Sequence, residues 1–336
     1  MSQSRVTDYG ELTRARMSMS FPLRWVNSYM LPGEEGWTIV DPGPRSAENE
    51  AAWDEVLNEL GFSYEEISSI VLTHHHPDHY GLAGWLQERS GAQVWMSKAA
   101  SEAARRNWGG TEFQPEGSFD AATIDLYRRH GMGDDRLAQL PEHLSGFRTQ
   151  IEPQPEITII EPGLPIRFGG RLWRPIETGG HAEGHLSFYE EETGLILCGD
   201  AVLPRISPNI SYSPGGDLHP LRSYLNGLRT LGALHVTQAF PGHRDPFKNF
   251  TERTEQLLEH HEQRLDRMEE LLRSEPRSAY EICTTLFGTS LGIHQLRFAL
   301  SETLAHLVEL ADRGRAYCNQ EGDVITFGSL TVNQSP

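Results

Sequence analysis

The chain has 336 residues, of which 38% are apolar and spread along its length, enough for one large domain and a small one. A formal net charge of −18 repels polyanions unless cations are gathered locally, so it argues against nucleic acid as a substrate. Three widely separated cysteines, Cys198, Cys283 and Cys318, exclude a disulfide framework and a thiolate zinc site.

In chain order, apolar-rich segments at residues 21–31 and 36–40 predict strands, with turn signals at Pro32-Gly33 and Asp41-Pro42-Gly43. The preceding residues are polar and mixed in charge, without the apolar stretch of a signal peptide. No segment is apolar over the roughly 18–20 residues a membrane span requires. The expectation is a cytoplasmic protein without a membrane partner.

A helix is predicted over 51–60, where Trp53, Val56, Leu57 and Leu60 recur at helical spacing. A strand over 68–72 runs into a histidine-rich loop; a helix over 81–88 and a strand over 93–96 follow. This alternation predicts layered α/β architecture. Residues 97–150 are polar and helix-prone and read as a helical insertion lying over the sheet.

Strand character returns at 156–160, 165–168, 171–176, 186–189 and 195–198. A helix over 221–231 precedes a strand over 235–240, which ends at Pro241-Gly242-His243. From residue 250 the pattern changes to helices over 251–273, 279–287 and 294–313, then a hairpin with strands at 316–319 and 324–327. Helices followed by a small hairpin make a winged-helix pattern. The chain therefore divides at 249/250, and the long helix 251–273 suggests a homodimer.

The chemistry is concentrated in Thr73-His74-His75-His76-Pro77-Asp78-His79, at the end of an apolar strand. His74 and His76 are two apart and face the same way on extended backbone, so they can share one metal. Asp78 and His79 follow the bend at Pro77 and can serve a second. Three later positions fit the remaining ligands: His185 after Gly184, Asp200 after Gly199, and His243 after Gly242. All lie where strands end, which is where α/β sheets build sites.

His181-Ala182-Glu183-Gly184-His185 has the spacing of a helical zinc pair, but the glycines around it argue against a helix, so His181 reads as a loop or supporting contact and as a candidate substrate contact. His75 is assigned no chemistry. Arg205, Asn209 and Tyr212 follow Asp200 on a Pro-rich loop and are candidate substrate contacts, equally well explained as an ordinary structured loop. Trp108 and Phe113 are candidate apolar walls of a pocket roofed by the insertion.

This ligand pattern resembles the metallo-β-lactamase superfamily. His74, His76, Asp78 and His79 match its His-x-His-x-Asp-His motif, and His185, Asp200 and His243 match its later ligands. The resemblance implies a four-layer αββα sandwich. It implies one metal on His74, His76 and His185, a second on Asp78, His79 and His243, and Asp200 bridging. It also implies that the C-terminal helices and hairpin are the winged-helix domain of one branch of that superfamily.

Nitrogen and carboxylate donors without thiolate favour zinc; iron or manganese accept the same set. A hydroxide bridging two such ions would attack a substrate without a serine or cysteine nucleophile, with Asp78 and Asp200 in the catalytic centre. The leading expectation is hydrolysis of a small ester, lactone or thioester. The alternative is cleavage of single-stranded RNA or another phosphodiester. Residues 251–336 hold eight Arg and no Lys against fourteen Asp and Glu, which disfavours it. Diiron redox chemistry would need a flavin domain that is not seen, and a non-catalytic regulator would not need the full ligand set.

Overall fold

The structure is a computed structural model describing residues 5–19, 23–109, 119–161 and 163–330. Phe113, expected in the pocket wall, and Phe21, expected to open a strand, lie outside the described residues.

The first part of the chain runs β1 (Val6–Asp8), β2 (Thr13–Ser18), β3 (Trp25–Gly33), β4 (Gly36–Val40), α1 (Ala47–Leu60), β5 (Ile67–Val71), α2 (Pro77–Tyr80), α3 (Ala83–Ser90) and β6 (Gln93–Ser97). Helices α4 (Lys98–Trp108), α5 (Phe119–Arg129), α6 (Asp134–Leu137) and α7 (Leu140–Arg148) lead to β7 (Ile157–Ile160). The seven strands form one sheet in chain order, antiparallel up to β4 and parallel beyond it.

A second sheet is built from β8 (Ile166–Phe168), β9 (Arg171–Glu177), β10 (Leu186–Glu190), β11 (Leu195–Gly199) and, after α8 (Pro220–Gly232), β12 (Gln238–Pro241). Its order is β12-β11-β10-β9-β8, with β12 parallel to β11. The C-terminal part follows as α9 (Phe250–Leu272), β13 (Arg277–Ser278), α10 (Ala279–Phe287), α11 (Ile293–Asp312), β14 (Ala316–Glu321) and β15 (Val324–Ser329), with a small sheet ordered β13-β15-β14.

The two large sheets face each other across Tyr29, Leu31, Val40 and Val71 on one side and Trp173, Leu186, Phe188, Leu197 and Phe240 on the other. Helices α1, α3 and α4 cover the outer face of the first sheet, and α8 covers that of the second. The result is the expected four-layer αββα sandwich. Because both faces of the central strands are buried, β10 and β11 are inaccessible along their full lengths.

Helix α1 shows how local signals set the frame. Ser46 caps it by accepting a hydrogen bond from the Asn49 N–H at 3.1 Å, and Gly61 ends it at φ 76°. Its apolar stripe places Trp53 in the core with no exposure, the indole N–H donating to Pro42 O at 2.9 Å. The helix begins four residues before the prediction because the cap, and not the first apolar residue, starts it.

Three features depart from the sequence reading. Strands β1 and β2 were not expected; the buried apolar residues of β2 are only Ala15 and Met17, while Arg14 and Arg16 turn to Asp245. The insertion is shared between two cores: Trp108 and Phe147 join the cluster under the first sheet, whereas Tyr127, Met132, Leu137, Leu140 and Leu144 pack with the C-terminal helices. Finally, Leu257, Leu265, Met268 and Leu272 of α9 are buried inside this chain. The length of α9 is therefore no argument for a dimer.

Candidate metal centre

The site lies at the ends of β5, β9, β11 and β12, where the strands release the loops that carry its donors. His76 is the residue before α2, and Pro77 opens that short helix, turning the chain so that His79 meets His74 and Asp78 meets His243. Three groups of donor atoms lie within 4.8 Å of one another: His74, His76 and His181; Asp78, His79 and His243; and Asp41, His74 and His79.

The outward nitrogens of the rings are already held. His79 Nδ1–H donates to Asp41 Oδ2 at 2.8 Å, His181 Nδ1–H to Asn209 O at 2.8 Å, and His243 Nδ1–H to Trp25 O at 3.0 Å. His74 Nδ1 meets Thr73 Oγ1 at 2.9 Å, and that hydroxyl donates to Asp41 Oδ2 at 2.6 Å. This chain assigns the His74 proton to Nδ1 and leaves Nε2 bare, 3.1 Å from His76 Nδ1.

The inward atoms are buried and, among the described residues, make no hydrogen bond: His79 Nε2, His181 Nε2, His243 Nε2 and Asp200 Oδ1. Buried polar atoms left without a hydrogen bond are costly unless something satisfies them. Asp200 stands between the groups, 3.5 Å from His79 Nε2, 3.3 Å from His243 Nε2 and 3.5 Å from His181 Nε2. Asp78 lies 3.2 Å from His243 Nε2. Imidazole nitrogens and carboxylate oxygens converging on unfilled valences fit divalent cations.

The charges agree. Burial alone would lower His79 and His243, but Asp200 and Asp78 override it, raising His79 well above its ordinary value and pushing His243 up to about 10. The carboxylates thus demand positive charge at this point. His74 and His76, with burial and other imidazoles around them, are held well below their ordinary values, as neutral ligands should be.

The geometry differs from the expectation at two histidines. His181, and not His185, completes the group with His74 and His76. His185 has both nitrogens engaged: Nδ1 with Thr178 Oγ1 at 2.7 Å, and Nε2 accepting the Asp200 N–H at 3.1 Å. It holds the backbone of Asp200 from behind. Asp41, read from sequence only as part of a turn, receives Thr73 N–H, Thr73 O–H and His79 N–H. It adopts φ 54° to do so. A carboxylate so occupied positions ligands and is not itself free to bind an ion.

Two glycines give the cluster its closeness. A Cβ on Gly199 would meet His185 Nε2 at 2.6 Å, and one on Gly242 would fall on the Asp200 carboxylate and the His79 ring. The Gly-Asp and Gly-His pairs visible in the sequence are therefore close-approach devices.

A cavity of about 830 Å³ opens from the cluster. Trp108, Phe119 and Phe147 of the insertion and Phe298 of α11 line it, together with Asn209. His75, given no chemistry from sequence, also lines it and is gripped by the insertion: Trp108 Nε1 donates to its carbonyl at 3.1 Å and Asn107 Nδ2 lies 3.2 Å from its Nε2. Of the four expected substrate contacts, Asn209 and His181 line the cavity. Arg205 is exposed away from the lining, and Tyr212 packs against the C-terminal core.

Comparison with known proteins accords with this geometry. The description Metallo-beta-lactamase superfamily matches residues 23–243, and Metallo-beta-lactamase-like, C-terminal domain, matches residues 265–330. The chain belongs to the metallo-β-lactamase superfamily and is a metal-dependent hydrolase. It is 27% identical to "Probable metallo-hydrolase YqjP" of Bacillus subtilis over 94% of this chain and 97% of that one.

It shares 31% identity and a TM-score of 0.84 with a metallo-beta-lactamase family protein from Thermus thermophilus, covering 95% of this chain and 98% of that one. An atrochrysone carboxyl ACP thioesterase of Aspergillus fumigatus is 21% identical over 72% of this chain and 58% of its own length. No helix among the described residues is long and apolar enough to cross a membrane.

Proposed function

We propose that the cluster holds two divalent ions, one on His74, His76 and His181 and the other on Asp78, His79 and His243, with Asp200 between them. We propose further that the enzyme hydrolyses a small ester, lactone or thioester. The observation that carries this reading is the set of buried inward atoms that make no hydrogen bond, on rings of His79, His181 and His243 whose outward nitrogens are tied. Zinc suits the donor set best, and iron or manganese would be accepted. What bound divalent ions supply is Lewis acidity toward a carbonyl and toward water.

The chain's own residues do the rest. Asp41, Thr73, Thr178 and His185 fix the ligands and Asp200; the aromatic walls receive an apolar acyl part and exclude water. Cys198, two residues before Asp200, offers no thiolate nucleophile: it is buried, its thiol donates to Val202 O at 3.3 Å, and burial pushes its pKa far up. The thioesterase among the relatives supports the thioester member of the substrate class.

The RNA reading gains nothing. Arg264, Arg273, Arg277, Arg313 and Arg315 each pair with a carboxylate, which spends the charge a polyanion would need. The order α9, β13, α10, α11, β14, β15 supports a winged-helix identity for residues 250–336, here used for packing and for the cavity wall. Chromogenic esters, lactones, thioesters and bis-phosphodiesters, each with and without chelator, test the proposal. Chelator-sensitive turnover of an acyl substrate is expected. Turnover of the phosphodiester alone would overturn the acyl reading.

A further inference from the structure

The cavity wall contains a cation that the metal chemistry does not use. Arg297, on α11, lines the cavity together with His294, Gln295 and Phe298. Its guanidinium lies 4.4 Å from the centre of the Phe298 ring and 5.1 Å from that of Phe147. Cation–π packing of this kind uses the face of a guanidinium and leaves its N–H edges as donors. Its Nε is buried without a partner, and no carboxylate among the described residues pairs with it.

Other cavity-side arginines end on acids: Arg45 on Glu50, Arg106 on Glu183, and Arg264, one helix behind, on Glu302. In a chain of net charge −18, a guanidinium kept clear of acid in a pocket with aromatic walls has the chemistry to receive an oxyanion. It stays charged although burial draws its pKa down.

We propose that Arg297 is a specificity-determining residue and that the substrate is an acyl ester or thioester bearing a second, anionic group, a carboxylate or phosphate, received by this guanidinium. The inference rests on the hydrolase reading of the adjacent metal cluster. It assigns the C-terminal helix a direct part in substrate choice. The planar fork of Arg297 takes two oxygens of one anion, while the aromatic walls hold the methylene chain between that anion and the scissile group.

The test is a binding experiment on the zinc-loaded enzyme by calorimetry. Glutarate, adipate and suberate are compared with pentanoate, hexanoate and octanoate, and the phosphonate analogue of adipate is run beside them. At least one doubly anionic ligand should bind roughly tenfold or more tighter than its singly anionic partner, the scale of a bidentate charge-assisted contact. The advantage should vanish in Arg297→Gln and survive in part in Arg297→Lys, which keeps the charge without the fork.

If Arg297→Gln does not fold, a full advantage in Arg297→Lys would overturn the fork and a reduced one would support it. Equal binding of the matched pairs by the wild type, or an advantage undiminished in the variants, would overturn the proposal. A carboxylate advantage and a phosphonate advantage each support it and identify the anion. Matched thioesters are then assayed. Discrimination in binding without turnover would defeat the hydrolase reading and leave the anion site standing.

Discussion

His181 and His185 are four residues apart in one loop, and their ring nitrogens have opposite fates. His181 is tied at Nδ1 and bare at Nε2; His185 is tied at both. His181→Ala should lose one ion and the turnover that depends on it. His185→Ala should keep the stoichiometry and weaken affinity by about 10–100-fold, the scale of supporting groups around a metal. Competitive chelator titration of the two variants separates these outcomes, and the reverse pattern would restore His185 as the ligand. Asp41→Asn should likewise weaken affinity by about 10–100-fold, because it removes the acceptor that fixes His79.

The dense run from His74 to His79 was legible because few other reasons gather such residues at a strand's end. The distinction between His181 and His185 was not legible. It depends on which nitrogen meets Thr178 and the Asp200 N–H, partners that only the fold brings near. Asp41 was hidden for a similar reason, since an Asp-Pro-Gly sequence reads as a turn whether or not its carboxylate holds a site.

Among the elements, the turns after β11 and β12 bring backbone directly against the donor side chains. Gly242→Ala should displace the Asp200 carboxylate or the His79 ring, so metal content should fall while the secondary structure seen by circular dichroism persists. Unchanged metal content would show that the turn can relax. Trp53→Ala, in the helix that covers the first sheet, should cost about 3–5 kcal/mol in denaturant unfolding without touching the site. Long helices were readable from their periodicity and central strands from their apolar runs. β1 and β2 were not, because two buried apolar residues in β2 leave too short an alternation to detect.

At the scale of the molecule, the insertion, α8 and the C-terminal helices share one hydrophobic cluster, and α11 delivers part of the cavity wall. That arrangement could not be read from sequence, since helical periodicity shows which face is apolar and not what it meets. Asn209 illustrates the linkage: its carbonyl holds His181, and its Nδ2 donates to Phe298 O and Glu302 Oε2, both at 3.0 Å.

The same core buries a histidine pair. His261 Nδ1 lies 3.0 Å from His306 Nε2, and His306 Nδ1–H donates to Glu302 O at 2.8 Å. Burial pushes His261 down to about 2 and His306 down to about 3, with neighbouring His260 and Arg264 adding to both shifts. Below the ordinary histidine pKa of about 6.5 the unfolded chain therefore binds more protons than the folded one. Stability contributed by the pair is complete above that value. It falls with pH toward about 3, by at most about 1.4 kcal/mol per histidine per unit. Denaturant midpoints measured from pH 7 to pH 5 should decline, and His306→Gln should flatten the decline; an unchanged slope would show that other groups control it.

The central claim is that donors from separate loops hold a pair of ions through Asp200. Its most direct test is the metal-to-protein ratio of chain purified without added metal, measured beside Asp200→Ala. The account predicts about two divalent ions per wild-type chain and a marked loss in the variant. Less than about one ion per wild-type chain, or full occupancy in Asp200→Ala, would contradict it.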